Sequence, residues 1–123
     1  MSKIFYSGWL ISEESRETLL FYFGQTHLIL VAHHITEIYN VPENYRKPTA
    51  TTAKVVGFAE DERIQALVVE INGSIIRPDG KIYHITWSKI PGVRDVESNM
   101  LLELGYDKVA VAIDISIIPE IMS

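Results

Sequence analysis

The chain has 123 residues, no cysteine and a formal net charge of −5 at pH 7. These figures fit a single folded domain over residues 1–123, and they exclude disulfides, thiol nucleophiles and cysteine metal sites. Lysine and arginine are scattered, so the composition argues against a surface that grips extended nucleic acid, although a local pocket for one small anion is compatible with it.

The apolar stretches of the chain are too short to span a membrane. Residues 1–7 also lack the apolar stretch of a secretory signal. We therefore expect no membrane contact and a cytoplasmic location.

The first third of the chain predicts a strand, a helix and a second strand. Residues 3–11 are rich in aromatic and aliphatic side chains, which favours a strand. Ser12 is a typical helix N-cap, acidic residues follow it, and Gly24 is a typical helix end. An apolar run then leads into a strand that ends near Tyr39.

The rest of the chain predicts mainly antiparallel strands, because turn residues separate short runs of β-branched side chains. The predicted elements are a polar loop over residues 40–52, strands over 53–59 and 64–71, a strand over 83–88, a helix from about Val96 to Leu104 and a strand over 108–118. With six or seven strands and two helices, the predicted fold class is α+β with antiparallel sheets.

Two His-Ile-Thr triplets are the clearest chemical signal, and they occupy residues 34–36 and 84–86. Side chains alternate across a strand, so the histidine and threonine of each triplet share one face and the isoleucine points to the other. The duplication also suggests a weak internal repeat. It predicts two lobes, related by an approximate two-fold axis, that face one cleft.

Paired histidines and threonines suit phosphodiester hydrolysis, which needs a base for water and an acid for the leaving oxygen. Imidazole serves both tasks because its pKa of about 6.5 lies near working pH, and hydroxyls can stabilise charge on the phosphate oxygens. The sequence therefore predicts catalytic His34 and His84, phosphate-binding Thr36 and Thr86, and no metal or other cofactor. It leaves open which histidine is the acid. Three further candidates, for contacts with a base or the pocket, are Tyr6, Tyr39 and Ser88.

A zinc site is the main alternative use of the histidines. His27, His33 and His34 are close in sequence, but no acidic ligand stands at a familiar spacing, so we predict no metal site. Strand alternation instead predicts that His33 is a solvated neighbour on the face opposite His34.

The two triplets resemble the motifs of the 2H phosphoesterase superfamily, which includes 2′-5′ RNA ligase-like proteins and cyclic phosphodiesterases. Residues 34–36 match its first motif and residues 84–86 its second, while residues 82–99 are similar to its tRNA-ligase-like or RNA-repair branch. The resemblance implies a two-lobed, pseudo-two-fold α+β fold that hydrolyses a nucleotide 2′,3′-cyclic phosphate or a small cyclic oligonucleotide. Glu37 and Trp87, which follow the threonines, differ from the residues usual in the superfamily and leave the substrate open.

Two other interpretations compete with an enzyme. One is a nucleotide- or RNA-end-binding module that uses the same cleft without turnover. The other is a partner-binding protein whose triplets are structural, because threonine favours strands and half-buried histidines are common. On the enzymatic interpretation we expect a small nucleotide or RNA end as partner, and the sequence leaves the oligomeric state and the pathway open.

Overall fold

The computed structural model describes residues 3–123, so Met1 and Ser2, which the single-domain prediction includes, lie outside the described residues. It confirms the α+β class, with antiparallel strands and two helices. The elements are β1 (Phe5–Ile11), α1 (Glu13–Phe23), β2 (Ile29–Leu30), β3 (His34–Val41), β4 (Thr52–Glu60), β5 (Ile64–Glu70), β6 (His84–Lys89), α2 (Glu97–Glu103) and β7 (Asp107–Met122). In this part of the chain no helix has the length and apolar character needed to cross a membrane.

The strands form one antiparallel sheet in the order β2-β6-β3-β1-β7-β4-β5. A further pairing of β5 with β6 closes six of these strands into a barrel. The two triplet strands, β3 and β6, are therefore neighbours in one closed sheet in place of the two lobes predicted from the sequence. The difference arises because β6 uses both of its edges, one for β3 and the other for β5.

The barrel interior is apolar and is closed at one end by α1. Leu19 of α1 is fully buried in the interior cluster. Ser12 caps the helix by accepting a hydrogen bond from the Ser15 amide at 3.2 Å, as predicted. At the other end of α1, Trp87 Nε1 donates to the Gly24 carbonyl at 2.8 Å. Burying each large side chain contributes about 1.5–3 kcal/mol, so α1 is firmly fixed on the barrel.

Helix α2 covers part of the outer surface of the barrel. Leu101 and Leu102 pack with Ala66 and Val68 of β5 in a second buried cluster. The helix confirms the segment predicted from about Val96 to Leu104. Its first residues lie next to β6. The outer surface of β6, β3 and β1 adjoins the helix and is not covered by it.

A bulge in β3 sets which side chains reach that outer surface. The pairing of β1 with β3 skips Glu37, which is therefore an extra residue in its strand. The fully buried Ser7 donates a hydrogen bond to Glu37 Oε1 at 2.9 Å. Because the bulge shifts the alternation by one residue, Tyr39 lies opposite Tyr6, and side chains directly opposite in a sheet share a face.

Gly8 allows β1 to approach β3 closely beside the first triplet. It pairs with Thr36, and a Cβ atom at Gly8 would lie 2.1 Å from the carbonyl oxygen of Ile35. The contact is with backbone, so a side chain cannot be accommodated by a rotamer change. The glycine therefore keeps β3 at its observed distance.

We predict that Gly8→Ala destabilises the protein by about 1–3 kcal/mol, because the added methyl group must push the two strands apart. Urea unfolding would measure the loss. Thr52→Ala, at an exposed strand position, is the matched control and should change stability by less than about 0.5 kcal/mol. Equal stability of Gly8→Ala and wild type would contradict the close approach.

Candidate active site

The two triplets meet through their isoleucines. Ile35 of β3 pairs with Ile85 of β6, and both side chains are fully buried in the barrel interior. Neighbours of an inward-facing strand residue face outwards, so the histidine and threonine of both triplets lie on the outer surface. Continued by one residue on each side, this antiparallel register brings each histidine next to the threonine of the other triplet, although the Ala32 amide also donates to the Thr86 carbonyl at 3.0 Å. The two histidines are diagonal neighbours, whose backbones are about 7–8 Å apart.

The hydrogen-bond partner of His84 fixes its tautomer. Its Nδ1 atom lies 2.8 Å from the Ile82 carbonyl oxygen. A carbonyl oxygen only accepts, so Nδ1 carries the hydrogen and Nε2 of the neutral ring keeps its lone pair. Burial is the main cause that lowers the pKa of His84, and the cations Arg77 and Lys81 lower it further, whereas the Ile82 carbonyl and Asp79 oppose the shift.

The Arg77 guanidinium beside His84 is itself buried, with 6% of its surface exposed. Its Nη2 atom donates to Asp79 Oδ2 at 2.7 Å, and its Nε–H group has no hydrogen-bond partner among residues 3–123. Burying a cation with an unused hydrogen-bond donor costs free energy, so Arg77 occupies a position of local electrostatic importance. Its positive charge favours the neutral form of the neighbouring imidazole.

His34 lies among an aromatic ring, a second imidazole and a carboxylate. The ring centroids of Tyr6 and His34 are 5.3 Å apart. Burial lowers the pKa of His34 from 6.5 to about 4, with smaller lowering by His33 and His84, while the Asp95 carboxylate raises it. In the free protein both triplet histidines are therefore neutral near pH 7.

The prediction that His33 lies on the face opposite His34 is wrong. Their Nδ1 atoms are 3.1 Å apart and their ring centroids 5.2 Å apart. The reason is the backbone of Ala32, whose φ of 43° interrupts the extended chain directly before these residues. Alternation does not hold across such a kink, and the exposed His33 ring therefore reaches His34 from the rim of the site.

The two threonines have different surroundings. Thr86 is buried, and its hydroxyl lies 2.8 Å from the Ser98 hydroxyl and 3.3 Å from the Asp95 carbonyl. Ser98 belongs to the first turn of α2, so Thr86 links the helix to the site. The Asp95 carboxylate accepts a short bond of 2.6 Å from Lys89. Thr36, in contrast, lies on the open part of the surface and is only half-buried.

Of the predicted contact residues, the structure brings two tyrosines to the site and removes the serine. Tyr6 packs against His34, and Tyr39, opposite Tyr6, is 60% exposed. Ser88 is fully buried; its hydroxyl donates to Gln65 at 2.6 Å and accepts from the His27 amide at 3.2 Å. Ser88 fastens the loop before β2 and is not available to a ligand. The pairing of β6 with β5 skips Trp87, and this bulge interrupts the alternation from which Ser88 was predicted to share the face of His84 and Thr86.

Sequence reasoning missed several residues around the histidines. The sequence did contain an indication for Ser98, because this residue lies in the stretch that resembles the RNA-repair branch. Arg77 precedes an evident turn, but nothing in the sequence indicates that its side chain is buried. Asp95 and Lys89 are near each other in sequence, but only the fold shows that their side chains form an ion pair.

No group of three or more metal-binding side chains is found within residues 3–123. His27 lies in another loop, where its Nε2 atom is 2.9 Å from the Asp61 carbonyl. A cavity of about 590 Å³ lies elsewhere and is lined in part by residues of α1, β4 and β7. The candidate site itself lies on the outer face of the sheet, where burial covers much of both imidazoles.

Comparisons with known proteins add no constraint on this surface. No protein family, curated protein or solved structure matches the chain. The chemistry of the site therefore has to be argued from its own residues.

We predict that His34 titrates near pH 4 in the folded protein, because burial disfavours its charged form. Proton-detected ¹⁵N NMR of the imidazoles would measure this pKa. The unfolded chain takes up the proton at about pH 6.5, so this histidine lowers stability as the pH falls from about 6.5 to about 4. The variant His34→Gln should lose less stability over that range, and a His34 pKa above 6.5 would contradict the burial argument.

Proposed function

We propose that this protein is a metal-independent phosphodiesterase that opens a nucleotide 2′,3′-cyclic phosphate or a small cyclic oligonucleotide. In this proposal the phosphate binds between His34 and His84, and the chain is a 2H-like phosphoesterase whose two triplets are related by the local two-fold axis of an antiparallel strand pair. The observation that supports it best is the outward-facing diagonal pair of neutral imidazoles, each next to a threonine of the other triplet.

The diagonal spacing suits an in-line displacement at phosphorus. A phosphate group held between the imidazoles of two diagonally neighbouring residues would present opposite sides to them. One imidazole would take a proton from the attacking water, and the other would give a proton to the leaving ribose oxygen as its bond to phosphorus breaks. The product is a phosphomonoester, and the two histidines return to their starting states by exchange with solvent.

The threonines would stabilise charge on the non-bridging oxygens. Thr36 can donate its hydroxyl hydrogen directly, because it faces the open surface. The Thr86 hydroxyl donates a hydrogen bond to Ser98 or accepts one from it. Its long hydrogen bond of 3.3 Å to the Asp95 carbonyl would be replaced by a hydrogen bond to the phosphate. The proposed stabilisation is therefore strongest at Thr36.

A small ligand fits this surface better than a long one. The chain carries a net charge of −5, while the cations near the site, Arg77, Lys81 and Lys89, are few and partly paired with carboxylates. Tyr6 and the exposed Tyr39 lie together beside His34 and offer aromatic surface on which a base could stack. These features favour a mononucleotide, an RNA end or a short cyclic oligonucleotide over extended RNA.

One observation favours a second candidate, a non-catalytic nucleotide- or RNA-end-binding module. General acid catalysis needs one protonated imidazole, and burial lowers the pKa of His34 to about 4. A neutral pair would bind a phosphodiester without cleaving it unless the bound anion raises the pKa of one ring. Tight binding without product would identify this alternative.

We predict that His34→Ala and His84→Ala each lower turnover of a nucleoside 2′,3′-cyclic phosphate by about 10²–10⁴-fold, because each removes one proton-transfer group. Thermal unfolding should change little, since both rings face outwards. His27→Ala, which removes a histidine from another loop, is the matched control and should keep full activity. If both triplet variants unfold instead of losing turnover alone, the triplets are structural.

We also predict that the pH profile of kcat/KM is bell-shaped, with its maximum on the acid side of 6.5. Burial lowers the pKa of both imidazoles, so the singly protonated pair is most populated at acid pH. Above the higher pKa the acid loses its proton, and the rate should fall about tenfold per pH unit. Excess chelator should leave the rate unchanged, because the chain's own groups carry every proton transfer, and abolition by chelator would defeat this mechanism.

A further inference from the structure

The two triplet histidines have different partners at Nδ1, which removes their apparent equivalence. The Ile82 carbonyl accepts from His84 Nδ1 at 2.8 Å and can never donate. The partner of His34 is another imidazole, the Nδ1 atom of His33 at 3.1 Å, which can donate or accept. Neutral His84 is therefore confined to a lone pair on Nε2, whereas neutral His34 can carry its hydrogen on either nitrogen, depending on the tautomer of His33.

Only one arrangement is open to His34 when it is charged. Both of its nitrogens then carry hydrogen, so Nδ1–H must donate to a neutral His33 Nδ1, and Nε2–H is left for a ligand. His33 is exposed and can keep its own hydrogen on Nε2 in solvent. Its ring thereby fixes the orientation of the charged His34 ring.

The charged groups around the two rings also distinguish His34 from His84. The Asp95 carboxylate, which Lys89 partly neutralises, raises the pKa of His34, whereas the imidazoles of His33 and His84 lower it. The Ile82 carbonyl and Asp79 raise the pKa of His84, whereas the cations Arg77 and Lys81 lower it. Lysine and arginine cations thus act on His84 alone of the two rings, and cations favour a neutral ring, so His84 suits the base and His34 the acid.

We infer that His33 is a positioning residue that holds His34 as the general acid, which leaves His84 as the general base. The inference rests on the proposed function. Water attacks phosphorus while His84 Nε2 takes its proton, the bond from phosphorus to the ribose oxygen breaks, and His34 Nε2–H protonates that oxygen. His33 touches no reacting atom and acts through the Nδ1 contact.

The test compares adenosine 2′,3′-cyclic phosphate with an analogue whose leaving ribose oxygen is replaced by sulfur. A thiol has a pKa of about 8.5, so its thiolate leaves without a general acid. We expect His84→Ala to lose both activities and His34→Ala to lose only the oxygen substrate. His33→Ala should lower kcat for the oxygen substrate about tenfold or more, with KM unchanged, and should spare the sulfur analogue.

His33→Asn is the rescue variant, because its side-chain oxygen can accept from His34 Nδ1–H, and it should recover most of kcat. Equal losses on both substrates in His33→Ala, no loss at all, or a reversed pattern for His34→Ala and His84→Ala would overturn the assignment. Wild-type protein that opens neither substrate would instead overturn the proposed function, and the inference with it.

Discussion

The pairing of two buried isoleucines determines the whole candidate site. Ile35 and Ile85 have no exposed surface, and they meet across β3 and β6 inside the barrel. A slip of one residue in either strand would turn its histidine and threonine into this apolar interior, where unpaired polar groups are strongly disfavoured. The hydrophobic core therefore specifies the register, and the register brings four polar groups together on the outside.

Identical triplets do not make identical sites, because the segment before each triplet differs. The chain enters the second triplet from a hairpin whose Ile82 carbonyl and Arg77 guanidinium lie against His84. It enters the first triplet through the kink at Ala32, which turns the His33 ring towards His34. The local two-fold axis thus relates the backbones of the triplets but not the electrostatic surroundings of their imidazoles.

Local signals in the sequence predicted most of the fold elements. Ser12 and Gly24 bound α1 because capping depends on residues a few positions apart, and the alternation in each triplet gave the outward direction of its polar residues. Closure of the sheet was not predictable, since the pairing of β5 with β6 depends on contacts across the barrel. The structure therefore has one closed barrel where the sequence had predicted two lobes.

Irregular backbone accounts for the departures from strict alternation within the site. The bulge at Glu37 brings Tyr39 to the outer face, although strict alternation from His34 would have turned it inwards. Ala32 has a φ of 43°, and an alanine in a sequence gives no indication of a positive φ. The first departure lies in β3 and the second directly before it. Strand β6 has a bulge of its own, because its pairing with β5 skips Trp87 between Thr86 and Ser88.

On the proposed function, the charge of a bound phosphodiester would complete the electrostatics of the surface. Without a ligand, burial holds both imidazoles neutral, so the surface between them carries no charge of its own to attract an anion. A phosphodiester between them brings one negative charge into a poorly hydrated gap, and that charge favours uptake of one proton by the pair. The Asp95 carboxylate raises the pKa of His34 and so favours the charged form of this ring. On this argument ligand binding itself creates the singly protonated pair, so that affinity for a phosphodiester should rise as the pH falls towards the pKa of His34.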